Sequence, residues 1–373
     1  LEVQGLNKVW KKRFPLEVRQ AALKADGSRL TVQSSRVGLD GSELSLGGFV
    51  DFSPEGYVLN MDLEADSLDW EKIKDFKERE LPGARGDGDP GRASVKDGSS
   101  SVSGTLRVKL NHLHFGRYRF SPAKLRVDFR PEGPAIDVSE ALLCGISCPG
   151  RIEVLPQGLR LSADMAARGA QLDESLRCLW GTEGLIDGAY HLDGALSAEG
   201  PADDLASSLQ GTLDLRARDG RIFPIGFIGK VFSVLNITEI YRGQIPDLTS
   251  RGCAYDSITA AAAIEGGILS LDNAIVDAHC MKLVWRGTVN LRTRTADLIL
   301  VVAPLRTVDR IIDNVPILGD VLGGSLISFP VRVSGDLRDP DVVPLSPTAL
   351  GSGFIDFLKR AIRAPFRLTE PLR

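Results

Sequence analysis

The feature that most constrains this chain is a strict two-residue alternation of apolar and charged side chains, repeated in segment after segment. In "GTLDLRARDG" (211–220), Leu213, Leu215 and Ala217 point one way, and Thr212, Asp214, Arg216 and Arg218 the other. "AKLRVDFRP" (123–131) sets Leu125, Val127 and Phe129 against Arg126, Asp128 and Arg130. "GYVLNMDLEA" (56–65) aligns Tyr57, Leu59, Met61 and Leu63, and "FPVRVSGD" (329–336) aligns Phe329, Val331 and Val333. A period of two places successive side chains on opposite faces of a strand. One apolar and one charged face is the pattern of antiparallel sheets covered on one side. The expectation is a mainly β fold with a few short helices.

Composition supports this. With 39 Gly and only 6% aromatic residues, the chain suits many short strands and turns. Gly104-Thr105-Leu106, Gly211-Thr212-Leu213 and Gly287-Thr288-Val289 open strands alike, at unequal spacing, which argues for hairpins side by side and against a strict solenoid. "GLIDGAYHLDGALSAEG" (184–200) reads as closely spaced glycine turns. "SLDWEKIKDFKERE" (67–80) has helical spacing in Leu68, Ile73 and Phe76. "FPIGFIGKVFSVLNITEIYRG" (223–243) and "TVDRIIDNVPILGDVLGG" (307–324) read as helices over the sheet or plugs at the mouth of an apolar groove. The expected organisation is a β-rich segment over 1–80 ending in a short helix, and a Gly/Ser/Asp-rich linker or long loop over 81–101. A β array with helical plugs follows over 102–350, then an amphipathic basic tail over 351–373.

A net charge of −4 gives no global reason to bind nucleic acid. The sequence starts at Leu1 without Met, so a piece of a longer protein is expected. The five cysteines do not form a disulfide framework. One bridge among Cys144, Cys148 and Cys178 in an oxidising compartment and buried free thiols both remain open.

No constellation favours catalysis, a metal or a cofactor. His112 and His114 share a strand face that continues Leu106, Val108 and Leu110, with no further ligands nearby. Cys144 and Cys148 lack a second pair, and His279 and Cys280 fall on opposite strand faces. Asp336, Asp339 and Asp341 lack the spacing of a calcium loop and read as a polar turn around Pro340. Ser121-Pro122-Ala123-Lys124 fits S-x-x-K without its companion motifs. The chain reads as not an enzyme.

Placed on a helical wheel, the tail "FIDFLKRAIRAPFRL" (354–368) gathers Phe354, Ile355, Phe357, Leu358, Ala361 and Ile362 on one face. Lys359, Arg360 and Arg363 stand opposite; Pro365 ends the helix, and Phe366 follows. That pattern fits an interfacial membrane helix, and equally a cap closing the end of the sheet.

From about residue 180 onward the chain resembles the C-terminal region of AsmA-like proteins, relatives of the TamB-type and chorein-type bridge proteins. The resemblance rests on the order of "LQGTLDLRARDGRI" (209–222), "KVFSVLNI" (230–237), "YDSITAAAAIEGGILSLDNAIV" (255–276), "MKLVWRGTVNLRTRTADLILVVAPL" (281–305), "VPILGDVLGG" (315–324), "FPVRVSGDLRDPDVVPLSP" (329–347) and the basic tail. It implies an elongated antiparallel sheet curved into a trough whose apolar side holds phospholipid acyl chains. It also implies a periplasmic location, an inner-membrane anchor upstream, and a part in lipid transport and outer-membrane integrity. The groove residues it points to are Leu213, Leu215, Val289, Leu291, Leu298, Leu300, Phe329, Val331 and Val333. Phospholipids, a membrane surface at the tail and envelope proteins are the implied partners. A non-catalytic scaffold for outer-membrane protein biogenesis is the alternative.

Overall fold

A computed structural model describes residues 16–39, 42–54, 56–71, 101–181, 183–223, 229–231, 233, 252–304 and 328–346. The proposed linker up to residue 100, most of the first apolar plug, all of the second and the whole basic tail, with its membrane-contact candidates between 354 and 366, lie outside the described residues. The protein is mainly β, as the alternation requires. It divides into two compact units. Residues 1–164 and 198–203 form the first; residues 165–197 and 204–373 form the second.

The first unit holds β1 (Leu16–Asp26), β2 (Arg29–Leu39), β3 (Ser42–Ser53), β4 (Gly56–Asp69), β5 (Ser101–Phe115), β6 (Tyr118–Phe129), β7 (Ala135–Leu143), β8 (Ile146–Ser147), β9 (Gly150–Leu155) and the start of β10 (Gly158–Gln171). Neighbours in sequence pair antiparallel from β1 to β4 and from β5 to β8, and β9 pairs antiparallel with β7 and β10. β4 and β5 run parallel, from Gly56 opposite Ser101 to Asp69 opposite His114. A parallel pair needs a long crossover, and residues 70–100 make that connection. The strands either side of the proposed linker are therefore bonded neighbours in one unit.

The expected helix over 67–80 is corrected at its start. Leu68 lies in β4 opposite Leu113 and packs against the cluster of Val108, Leu110 and Ala123. Pairing with a neighbour of nearly the same length and partial burial of Leu68 outweigh the helical spacing of a few side chains.

The second unit contains the end of β10, α1 (Leu172–Trp180), most of β11 (Ala189–Gly200), a 3-10 turn (Leu205–Ser208), β12 (Gln210–Ile222), β13 (Cys253–Glu265), β14 (Ile268–Ala278), β15 (Met281–Asn290), β16 (Thr295–Pro304), β17 (Phe329–Asp336) and β18 (Asp341–Pro344). From β11 to β18 each strand pairs antiparallel with the next. Gly266 and Gly267, with φ of +56° and +74°, make the two-residue β13–β14 connection, and two positive φ values are what a type I′ hairpin needs.

The expected run of turns over 184–200 is corrected for its second half. Gly194 lies inside β11 opposite Leu213, whose side chain occupies the space a Cβ would take. It serves close strand packing, and no turn forms there.

Candidate functional site

Strand register in the second unit assembles one apolar face. Leu192, Leu215, Ala260, Ala274, Trp285, Leu300 and Val331 follow one another across seven strands. Alongside run Leu213, Ala262, Leu271, Gly287, Leu298 and Val333. Residues distant in sequence thus share a surface because each hairpin preserves the period of two.

Eight of the nine groove candidates fall into two groups on this face. Leu213, Leu215 and Val289 are half-buried. Leu298, Leu300, Phe329, Val331 and Val333 are buried, Val331 completely. On the opposite face of β15–β17 one end is buried too: Val284 and Val301 face each other with no exposure, and the buried Lys282 pairs with Asp277 at 3.5 Å, whereas Arg286, Asp297 and Arg332 farther along are exposed. The β16–β17 end of the apolar face is a packed core. Leu291 lies just beyond β15, in the turn, where its N–H donates to the Gly267 carbonyl at 2.9 Å.

One end of the second unit is pinned by polar contacts. Ser175 on α1 and Tyr190 on β11 share a buried hydroxyl–hydroxyl hydrogen bond of 2.8 Å. The Tyr255 hydroxyl donates to the Asp187 carbonyl at 2.5 Å. Burial, and then the negative charges of Asp187 and Asp219, push the Tyr255 phenol up to about 12. Cys253, at the start of β13, is disulfide-bonded to Cys280 in the β14–β15 turn. Sequence reasoning missed this bridge and placed His279 and Cys280 on a strand; a separation of 27 residues hides the hairpin that brings the cysteines together. Cys148 is a free thiol, and burial pushes its pKa up, away from a reactive thiolate.

The first unit carries a second apolar face. Val37, Leu44, Ala65, Leu110, Ala123 and Ala141 follow one another across β2–β7. The next line is Leu46, Leu63, Val108, Leu125 and Val138. The groove candidates included none of these residues, although the same alternation was present in their strands. The opposite face is a charged ladder. Arg107 bonds Asp62, Lys109 bonds Glu64, and Arg160 bonds both Glu153 and Glu199. The Arg107 guanidinium holds the Asp62 carboxyl below the usual range, and Arg160 does the same for Glu199.

His112 departs from its expected position. The alternation slips between Leu110 and Leu113, so the apolar face resumes at Leu113. The His112 ring nitrogen Nδ1 lies 2.8 Å from the Ser121 hydroxyl. A nucleophile and base need a third group to orient the base, and no such contact accompanies this pair among the described residues. Around Pro340 the chain does turn, with the Asp336 carboxylate accepting from the Arg338 N–H at 2.8 Å. Among the described residues no group of three or more His, Cys, Asp or Glu is placed to hold a metal ion.

Fold and faces together define a β protein that offers wide apolar sheet surfaces backed by charged ones. A family described as YhdP protein matches residues 150–342, more than half of the chain. The chain belongs to this family, in agreement with its AsmA-like resemblance. It is 25% identical over 155 residues to the intermembrane phospholipid transporter YhdP of Escherichia coli (strain K12). The matched stretch is 40% of this chain and 12% of that protein's length. No solved structure matches the chain. No helix among the described residues is long and apolar enough to cross a membrane.

Proposed function

We propose that this chain is the periplasmic lipid-binding part of an inner-membrane-anchored transporter that carries phospholipid between membranes and so maintains the outer membrane. Acyl chains lie on the apolar sheet faces while headgroups stay in water. The observation that carries this reading is the apolar face itself: Leu213, Leu215 and Val289 remain half-buried beside a packed core at β16–β17. Such a surface needs an apolar occupant, and the related E. coli protein is an intermembrane phospholipid transporter. Each CH₂ kept from water is worth about 0.8 kcal/mol, so a continuous apolar path lowers the barrier to leaving a bilayer with no catalytic group. The Cys253–Cys280 disulfide suits an oxidising compartment such as the periplasm. The basic tail supplies contact with a membrane surface.

The test is native mass spectrometry of the purified chain with lipid extraction of the same sample. Phospholipid is expected to co-purify and to be lost in Leu213→Asp, a half-buried site where circular dichroism can verify that the sheet persists. Protein that stays lipid-free after incubation with liposomes overturns the proposal and favours a scaffold for envelope assembly.

A further inference from the structure

The apolar face of the first unit is asymmetric across its width. Along one line it is closed, with Leu44 at 4% exposure, Leu110 at 3% and Ala123 at 1%. At the opposite margin, Phe52, Tyr57 and Val102 stand next to one another on β3, β4 and β5 and are 45%, 40% and 42% exposed. Phe52 and Tyr57 meet edge to face, their ring centroids 5.5 Å apart. Between closed line and open margin lie half-buried aliphatic side chains such as Leu63, Leu106 and Leu125.

This strip has almost no means of recognising a polar partner. Among the residues that strand register pairs on this face from the closed line to the row of Leu59 on β2–β7, the polar side chain is Ser35, whose hydroxyl already donates to the Leu46 carbonyl at 3.1 Å. The backbone groups of these strands are spent in the ladder. Polar character begins at the margin, with the Tyr57 hydroxyl and, on the reverse of the sheet, the Arg29–Asp51 ion pair at 2.7 Å. The width fits one leaflet's worth of alkyl chain. Tyr57 to Leu63 is six residues along β4, about 20 Å of strand, and half of a bilayer's hydrocarbon core is about 15 Å.

We infer that Phe52, Tyr57 and Val102 form a lateral portal, over which a phospholipid enters the first unit with its headgroup at this lip and its chain ends toward Leu63 and Leu125. The inference rests on the lipid-binding reading above and goes beyond it. It adds a site in the first unit, an orientation of the lipid along the strands, and a sideways route of loading.

The whole chain is incubated with phosphatidylethanolamine–phosphatidylglycerol vesicles containing a phospholipid with a diazirine at either the acyl terminus or the headgroup. Labelled peptides are mapped by mass spectrometry after irradiation. The acyl probe is expected on the peptides of Leu63 and Leu125, and the headgroup probe on that of Phe52 and Tyr57. Val102→Asp, at an exposed position that leaves folding intact, is expected to slow labelling several-fold. Reversed positions of the two probes, or undiminished labelling in Val102→Asp, overturn the portal. Labelling confined to the strands of Leu213 and Leu215 overturns it while the proposed function stands. No labelling in either unit overturns both.

Discussion

Gly104 and Gly287 show how single residues shape these sheets. Their φ values are +111° and +141°, and a Cβ on either would run into a neighbouring backbone carbonyl, that of Leu59 or Asp297. The loose Gly-Thr-Leu repeat therefore marks places where one strand presses on the next. Its spacing is unequal because it follows strand geometry and not a repeating unit. Gly104→Ala is expected to destabilise the first unit by about 1–3 kcal/mol, read as a lowered midpoint in urea unfolding. A wild-type midpoint would show that the strand shifts freely at this point. The charged ladder works differently. Arg332 donates to both carboxylate oxygens of Asp297 at 2.8 Å, with both side chains exposed. Such pairs contribute little stability each. Their effect is on register, because a one-residue slip would turn every charge onto the apolar face.

At the scale of elements, the start of β13 is held by two devices. The Cys253–Cys280 bridge ties it to the β14–β15 turn, and the Tyr255 hydroxyl ties it to the Asp187 carbonyl. Replacing both cysteines by serine is expected to cost about 2–4 kcal/mol, measured as a lower thermal midpoint under non-reducing conditions. The Tyr255 phenol gives a pH dependence with a definite sign. Its pKa in the folded chain, about 12, lies above the unfolded value of 10.0. Above pH 10 the unfolded chain loses this proton first, so stability is complete below 10 and falls as pH rises toward 12. Tyr255→Phe is expected to flatten that alkaline limb in urea titrations between pH 9 and 12, a window set by the shift itself. An unchanged slope would assign the limb to other groups.

For the molecule as a whole, the contrast within the second unit decides where the proposed lipid can sit. On β16 and β17 the apolar face is buried, at Leu298, Leu300, Val331 and Val333, whereas the half-buried side chains Leu213 and Leu215 lie on β12. Substituting Val331 by Asp is expected to unfold the second unit, because it strands a charge in a fully buried position. Leu215→Asp is expected to leave the fold intact and remove bound phospholipid. Circular dichroism and lipid extraction on the two variants separate core from surface; lipid retained by folded Leu215→Asp would place the binding face elsewhere.

The alternation of Leu213, Leu215 and Ala217, or of Tyr57, Leu59 and Met61, determined by itself that these segments are strands and which side chains share a face. A period of two is a local property that needs no partner strand to be read. The turn around Pro340 was legible for the same reason. What only the tertiary structure decided depends on which segments meet. It paired β4 with β5 in parallel across residues 70–100 and drew Leu68 into a strand through its partner Leu113. It joined Cys253 to Cys280 across 27 residues. It also separated Leu213 and Leu215, still half-buried, from Leu300 and Val331, sealed in a core. Alternation specifies a face, and the depth at which each residue of that face lies follows from packing around it, which no single strand encodes.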